Sequence, residues 1–203
     1  MQKTTAQGQR FFELAPAGHY LALRVGFAFP MEERIELPPA WIAEYTRGGL
    51  MLMDPVMKWV YQHQGAQRWS ELALPDPANV LAAAARHGLC FGAAVAVNDH
   101  DLKGQRSFGS FARSDREFSD AELDELLAEV ERLHQAKAPP TNLTKAELEA
   151  LRMVKDGLLM KEIAGLLGVS EGAVQQRLKN AKTKLNATTS SHAVSMASGF
   201  GLI

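Results

Sequence analysis

The fold of the C-terminal part is decided by residues 144–186, which read TKAELEALRMVKDGLLMKEIAGLLGVSEGAVQQRLKNAKTKLN. Thr144 and Glu147 have the spacing of a capping box, in which each side chain accepts the backbone N–H of the other residue. A helix is therefore predicted to begin at Thr144. Gly157 offers the left-handed residue that ends this helix.

Two further helices are predicted after Gly157. The first covers residues 161–167, Gly168 makes a turn, and Ser170 caps a helix that runs to about Leu185. The apolar side chains expected to face the core are Ile163, Leu166, Leu167, Val174, Leu178, Ala181 and Leu185. Two helices joined by a tight glycine turn are typical of a helix-turn-helix motif, whose second helix enters a DNA groove.

The opposite face of the last of these helices is polar, with amides and cations. Amide and cationic side chains can pair with base edges in the major groove, whereas Arg177, Lys182 and Lys184 are placed for phosphates. The predicted DNA-binding residues are Gln175, Gln176, Arg177, Lys179, Asn180, Lys182 and Thr183. An ordinary solvent-exposed helix face carries similar residues, so the prediction depends on the preceding turn and helix.

Four short motifs in this part resemble the DNA-binding domain of LuxR-type regulators. They are LTKAE at 143–147, EIA at 162–164, LGVS at 167–170 and GLI at 201–203. The resemblance implies an all-α, four-helix helix-turn-helix domain that binds double-stranded DNA.

Length and charge agree with two domains of different roles. The chain has 203 residues, 46% of them hydrophobic, which is enough for two small cores. Residues 139–203 hold 8 Lys and Arg against 5 Asp and Glu, whereas residues 1–138 hold 14 against 18. This bias is modest, so dimerisation is expected to be needed for useful DNA affinity.

Composition also indicates where in the cell the protein is expected and which metal or cofactor chemistry is not assigned to it. No run of 18 apolar residues and no signal-peptide core is seen, so we expect a soluble cytoplasmic protein without membrane contact. The single Cys90 lies in an apolar run and is interpreted as buried core. The six histidines lack the spacing of metal ligands, so neither a metal nor a cofactor is assigned.

The N-terminal part begins with a predicted helix and a predicted strand. Residues 4–14 form the helix, with Phe12 among the side chains that pack into a core. Residues 20–29 alternate as a strand with odd positions inward and Arg24 outward, and Pro30 ends it. A loop is expected to follow.

Helices then dominate up to about residue 86. Pro39 stands in the first turn of a helix that places Trp41 and Tyr45 on one face. Asp54 caps the next helix before Pro55. A further helix is predicted to open at residues 76–77.

A hairpin and a long amphipathic helix complete this part. Residues 89–97 and 106–112 are predicted strands, and Gly92 indicates a close approach of another group to the sheet. Ser119 begins a helix that extends to about residue 135. The predicted class is α+β: an N-terminal α-β-α sandwich with a mostly antiparallel sheet at 1–135, a linker at 136–142 and the helix-turn-helix domain at 143–203.

Trp41, Tyr45, Asp54, Trp69 and Gly92 together resemble the acyl-homoserine-lactone-binding domain of LuxR-type regulators. In that resemblance Asp54 accepts the ligand's amide hydrogen and the Trp41 indole donates to the lactone carbonyl. Tyr45 lays its ring along the acyl chain or donates its hydroxyl, and Trp69 forms a wall. Without the resemblance, a helix cap at Asp54 and plain core at the three aromatic residues explain the same pattern.

One position departs from the family. Leu37 stands where members usually carry a tyrosine that donates to the ligand's amide carbonyl. The loss of this hydrogen bond could be tolerated, replaced by a hydroxyl on the hairpin at Ser110 or Ser107, or accompany a changed ligand. Ser110 is the predicted replacement.

The resulting prediction is a quorum-sensing transcriptional regulator that binds an acyl-homoserine lactone and, as a homodimer, a palindromic DNA site. RNA polymerase is considered as a further partner. Dimer contacts are expected from the helix at 119–135 or from a helix around 192–200, and core packing within its own domain explains each helix equally well. One alternative is a ligand-independent or heterodimerising antagonist of the same family. An enzyme is disfavoured, because no G-x-S-x-G elbow, Cys–His pairing or phosphate loop is present.

Overall fold

The computed structural model describes residues 6–26, 29–99 and 105–203, with side chains from Arg10 onward. It separates into two compact units, with the main boundary between Lys137 and Ala138. Its helices are α1 (Ala6–Leu14), α2 (Pro39–Arg47), α3 (Pro55–Gln62), α4 (Val80–Arg86), α5 (Asp120–Ala136), α6 (Lys145–Lys155), α7 (Met160–Leu167), α8 (Glu171–Lys184) and α9 (Ser190–Gly199). Its strands are β1 (Gly18–Val25), β2 (Pro30–Glu36), β3 (Gly65–Arg68), β4 (Phe91–Asn98) and β5 (Arg106–Arg113).

The N-terminal unit is built on one antiparallel sheet with the strand order β2-β1-β5-β4-β3. Phe11 of α1 and Leu126 of α5 pack with Leu21 and Phe111 on one face of the sheet. Val60 of α3 packs with alanines and Phe108 of the other face, and the α2 and α4 side chains extend this second layer. The predicted α-β-α sandwich is confirmed.

The segment after β1 was predicted wrongly. Strand β1 ends at Val25, and Pro30 begins β2 instead of ending a strand. Strand β2 is at the edge of the sheet, where a proline without an N–H is tolerated. The strand was not predicted because its many charged side chains do not show apolar alternation. Phe29 and Phe12, both expected in the core, are 80% and 66% exposed, and residues 4–5 and 27 lie outside the described ranges.

Arg24 does not point into solvent as predicted, since it is only 1% exposed. Its guanidinium donates to the His134 carbonyl oxygen at 2.9 Å and pairs with Asp99. Ser107 Oγ accepts the Arg24 N–H at 2.9 Å and lies 2.7 Å from His134 Nδ1. His134 Nε2 lies 2.9 Å from the Asp99 carboxylate. Because a carboxylate only accepts, His134 carries its proton on Nε2 and Ser107 donates to Nδ1.

A bulge explains why simple alternation failed at Arg24. The register of β1 against β5 shifts between Ala22 and Val25, and Arg24 has a left-handed φ of 53°. A bulge inserts an extra residue and redirects the side chains that follow. The buried Arg24, Ser107 and His134 and the half-buried Asp99 pair with one another there, and we call these four residues the Arg24 network.

Three smaller predictions in the N-terminal unit were also wrong. Cys90 is exposed rather than buried. Strand β3 was missed because its sequence, GAQR, lacks apolar alternation. Helix α4 begins at Val80, and Asp76 caps it from outside by accepting the N–H groups of Val80 and Leu81 at 2.8 and 3.0 Å.

The C-terminal unit is all-α, as predicted. The capping box at Thr144 is formed, as is the one at Ser119 in the N-terminal unit, and Gly168 ends α7 at φ 63°. The inward residues of α8 are all buried, but Leu166 of α7, predicted inward, is 67% exposed. Among the described residues, no helix combines the length and apolar character that crossing a membrane requires.

Candidate ligand pocket and DNA-binding helix

A cavity of about 250 Å³ lies in the N-terminal unit between the sheet and helices α2, α3 and α4. Its lining is mainly apolar, with aliphatic and aromatic side chains from all three helices. A mostly apolar cavity with a few polar groups is the usual form of a small-molecule site. The polar residues of the lining are Tyr20, Glu33, Tyr45, Thr46, Asp54 and Ser110.

Asp54 is buried in this lining, with 7% of its surface exposed. One carboxylate oxygen caps α3 by accepting the Val56 N–H at 2.7 Å, and the other accepts the Tyr45 hydroxyl at 2.8 Å. Burial raises the pKa of Asp54, although these hydrogen bonds oppose the rise. Each carboxylate oxygen has a second lone pair. Asp54 can therefore cap its helix, hold Tyr45 and still accept a ligand hydrogen.

Trp41 and Tyr45 share the buried face of α2, as their spacing predicts. Their rings are 5.3 Å apart, and the Trp41 ring also packs 5.8 Å from His87. His87 Nε2 in turn lies 2.7 Å from the Glu44 carboxylate. Burial and the neighbouring Asp54 raise the pKa of Tyr45, so its hydroxyl stays protonated and serves as a donor. In the structure this hydroxyl donates to Asp54. Donation to the ligand or contact with its acyl chain, the roles considered from the sequence, stays a prediction.

Trp69 lies against Gly92, where the sequence predicted a close approach. A Cβ atom built on Gly92 would be 2.6 Å from Trp69 Cε3 and nearer still to two other ring atoms. The Trp69 indole nitrogen is buried without a hydrogen-bond partner among the described residues. A buried donor left unpaired is costly. Trp69 is also one of the lining residues of the cavity.

The two serines considered on the hairpin lie in different environments, and only one of them lines the cavity. Ser110 lines the cavity, opposite Tyr20 on β1 and Ala94 on β4. Ser107 is fully buried in the Arg24 network and is not a lining residue. Leu37 also lines the cavity, so no tyrosine stands at that position of the site.

Sequence reasoning missed Tyr20 and Glu33 as pocket residues. Both lie on the sheet, and the Tyr20 hydroxyl donates to the Glu33 carboxylate at 2.8 Å. Burial and Glu33 raise the pKa of Tyr20, so the hydroxyl stays protonated. The alternation of β1 could have indicated Tyr20, which is at an even position of the strand. In a sheet that is covered on both faces, the even positions face a packed layer just as the odd positions do.

Helix α8 presents the polar face that the sequence predicted for DNA. Ser170 caps it by accepting the Ala173 N–H at 3.2 Å. Gln176 donates to the Asn180 side chain at 2.7 Å. The predicted residues that are exposed are Gln175, Gln176, Lys179, Asn180 and Thr183, whereas Arg177 and Lys182 are half-buried.

Lys184 has a different environment from the one predicted. Its ammonium group lies 2.8 Å from both carboxylate oxygens of Glu147 and 2.8 Å from the Asn142 carbonyl oxygen. Burial opposes ionisation of Glu147, but Lys184 and the capping hydrogen bonds of Thr144 hold its pKa below the usual range. Lys184 therefore joins α8 to α6 instead of standing free for a phosphate.

Two family models match the chain. The "Autoinducer binding domain" model matches residues 33–136, and the "Bacterial regulatory proteins, luxR family" model matches residues 141–197. The chain belongs to the LuxR family. It is a ligand-responsive DNA-binding transcriptional regulator of quorum sensing, and the ligand-independent alternative is not favoured.

Similar LuxR-family proteins cover most of the chain. Regulatory protein SdiA of Escherichia coli (strain K12) is 28% identical over 181 residues, 82% of this chain and 74% of SdiA. Transcriptional activator protein LuxR of Aliivibrio fischeri is 27% identical over 177 residues, 79% of this chain and 70% of LuxR.

Solved structures of SdiA share the fold. A crystal structure of Escherichia coli SdiA has a TM-score of 0.54 and 25% identity, covering 96% of this chain and 88% of that chain. A structure of SdiA in complex with octanoyl-rac-glycerol has a TM-score of 0.53 and 25% identity, covering 99% and 91%.

Proposed function

We propose that the cavity of the N-terminal domain binds an N-acyl-homoserine lactone. The observation that carries this proposal is the pairing of a buried acceptor and a buried donor in an otherwise apolar lining. Asp54 has lone pairs left for an amide N–H, and the Trp69 indole N–H lacks a partner among the described residues. An amide and a carbonyl at the head of an apolar chain complement such a site.

The remaining lining residues have matching roles. Trp41 adds an indole at the lactone end, Tyr45 holds the Asp54 carboxylate in place, and Ser110 offers a hydroxyl from the sheet. A charge-assisted hydrogen bond to Asp54 in this buried setting is among the stronger single contacts available. The apolar lining of α3 and α4 takes the acyl chain.

Ligand binding is proposed to act by mass action on a homodimer. A ligand that binds only the folded, dimer-competent state stabilises that state by about 2.7 kcal/mol at a hundredfold excess over its dissociation constant. Two copies of α8 would then enter successive major grooves of a palindromic site. Helix α5 and helix α9 are the candidate dimer contacts.

Each domain is assigned its role within the boundaries that were predicted from the sequence. Residues 1–135 form the ligand-binding domain, 136–142 the linker and 143–203 the DNA-binding domain, in keeping with the two family matches. The protein acts in the cytoplasm, where its DNA is, and without turnover of the lactone. Contact with RNA polymerase stays a prediction, tested by co-purification from extracts with bound promoter DNA.

Thermal melting of the purified chain against a panel of acyl-homoserine lactones tests the ligand. Asp54→Asn is the decisive variant, because its side-chain oxygen can still cap α3 while its NH₂ replaces the oxygen that accepts from Tyr45. Wild type is expected to gain several degrees with one chain length, and the variant to lose that gain. Octanoyl-glycerol belongs in the panel, because a similar protein, SdiA, binds it.

A matched control separates binding from helix capping. Ser119 caps α5 with its side chain, and neither Ser119 nor any residue of α5 is among the lining residues, so Ser119→Ala should lower the melting temperature and keep the ligand-induced gain. Folded, dimeric wild type that gains nothing from any lactone would refute the proposed ligand. A gain with octanoyl-glycerol alone would replace the lactone by an acylglycerol.

A further inference from the structure

Tyr20 and Glu33 form a pair of acceptors in the cavity lining. The Tyr20 hydroxyl gives its only proton to Glu33 at 2.8 Å, which leaves the phenol oxygen with lone pairs alone. The Glu33 carboxylate can only accept. Both groups can therefore receive a hydrogen from a ligand, and neither has one to give while this bond lasts.

The charge of Glu33 is not neutralised by a neighbouring cation in the part of the chain that the structure describes. Glu32 and Arg34 occupy the alternate positions of β2, so they project from the other face of the sheet. Arg34 pairs with Glu32, which also pairs with Lys137 at 2.5 Å. Tyr20 is the one hydrogen-bond partner that the described residues provide for Glu33.

This pair lies beside the groups that hold the ligand's amide in the proposed site. Tyr20 is opposite Ser110 on the sheet, and Tyr20, Ser110 and Tyr45 line the same cavity. Tyr45 donates to Asp54. The cavity lining therefore holds two hydrogen-bonded pairs, the Tyr45 and Asp54 pair and the Tyr20 pair with the exposed Glu33.

We propose that Tyr20 and Glu33 are specificity-determining residues that select an acyl chain carrying a hydroxyl near the amide. A hydroxyl donates to the carboxylate in a charge-assisted hydrogen bond. A keto oxygen at the same carbon would meet two acceptors and find no hydrogen-bond donor in this pair. This inference rests on the proposed lactone-binding function and adds a ligand substituent to it.

The test compares three homoserine lactones of one chain length: unsubstituted, 3-hydroxy and 3-oxo. Dissociation constants are obtained for the full chain from melting shifts over a range of ligand concentrations. The 3-hydroxy ligand is expected to bind about tenfold more tightly than the 3-oxo ligand, a difference of about 1.4 kcal/mol. Glu33→Gln supplies an NH₂ that can donate to a keto oxygen, so it should bring the two constants within about twofold.

Glu32→Gln is the matched control, since it changes the same residue type one position away, on the other face of β2. It should leave the ratio of the two constants unchanged. Tyr20→Phe frees Glu33 and should weaken discrimination less than Glu33→Gln does. Equal constants for the 3-hydroxy and 3-oxo ligands in wild type, or an unchanged ratio in Glu33→Gln, would overturn the inference.

The outcomes also distinguish a failure of this inference from a failure of the proposed lactone-binding function. Binding of the unsubstituted ligand without preference for 3-hydroxy leaves lactone binding intact and removes the role of Tyr20 and Glu33. No binding of any of the three ligands removes both.

Discussion

Replacing Gly92 with alanine is expected to disable the ligand pocket while the fold survives. The added Cβ would lie 2.6 Å from Trp69 Cε3 and closer to the ring's Cδ2 and Cε2 atoms. Carbon atoms in good contact are about 3.5–4.0 Å apart, so the indole has to move by about 1 Å or more. The movement carries the unpaired indole N–H and the wall of the pocket away from their positions.

The expected cost is that of overpacking, about 1–3 kcal/mol of unfolding free energy. The ligand should lose at least about tenfold in affinity, or about 1.4 kcal/mol, because it loses a wall and a donor together. Trp69→Leu makes room for the new methyl group. Adding Gly92→Ala to that variant should therefore cost less than adding it to wild type, with a coupling of about 0.5–3 kcal/mol.

Urea unfolding followed by tryptophan fluorescence measures these terms. The three tryptophans, at 41, 59 and 69, all lie in the N-terminal part, so the signal reports on that domain. Gly165→Ala is the control, because among the described residues the added Cβ meets no atom within 4 Å beyond the adjoining helix backbone, and the residue is far along the chain in α7. Additive effects of Gly92→Ala and Trp69→Leu would refute the steric argument, as would unchanged ligand affinity in Gly92→Ala.

Burial, with Arg34 nearby, lowers the pKa of His19 to about 4, so the folded state binds fewer protons than the unfolded state between about pH 6.5 and pH 4. Stability should fall by about 3 kcal/mol as the pH drops through that window, and His19→Gln should show less of this fall in urea titrations at several pH values. Lys184→Met leaves the buried Glu147 carboxylate without its cation and should cost the DNA-binding domain about 1–3 kcal/mol, measured by circular dichroism; an unchanged midpoint would show that the pair is dispensable. Lys182→Ala should weaken DNA binding on all sequences and reduce the salt slope by about 1, whereas Gln176→Ala should change base preference in a selection from random DNA.

The C-terminal domain was predictable because its signals are local. A capping box such as that of Thr144 acts over three residues, and a left-handed glycine such as Gly168 ends a helix by itself. Strand β2 has no such signal, since its pairing with β1 depends on partners distant in the chain. Leu166 was misplaced because periodicity on a short helix does not define how wide the buried face is.

All five predicted pocket residues line the cavity, since Trp69 and Ser110 do so as well as the three residues carried by helices. Trp41, Tyr45 and Asp54 have fixed spacings within or beside α2 and α3, and the structure brings all three into one cavity. Tyr20 and Glu33 meet through the register of two strands, one of which was predicted as a loop. The unpaired indole of Trp69 is a three-dimensional property that no spacing reveals.

The Arg24 network restricts how this protein can vary. It joins a residue of β1, the end of β4, a residue of β5 and the last turn of α5, which are separate in sequence. Loss of one member leaves buried polar groups unpaired, which costs more than replacing the whole set by apolar side chains. We therefore expect selection to remove single substitutions at Arg24, Asp99, Ser107 or His134. In descendants of this protein, the four residues should be replaced together.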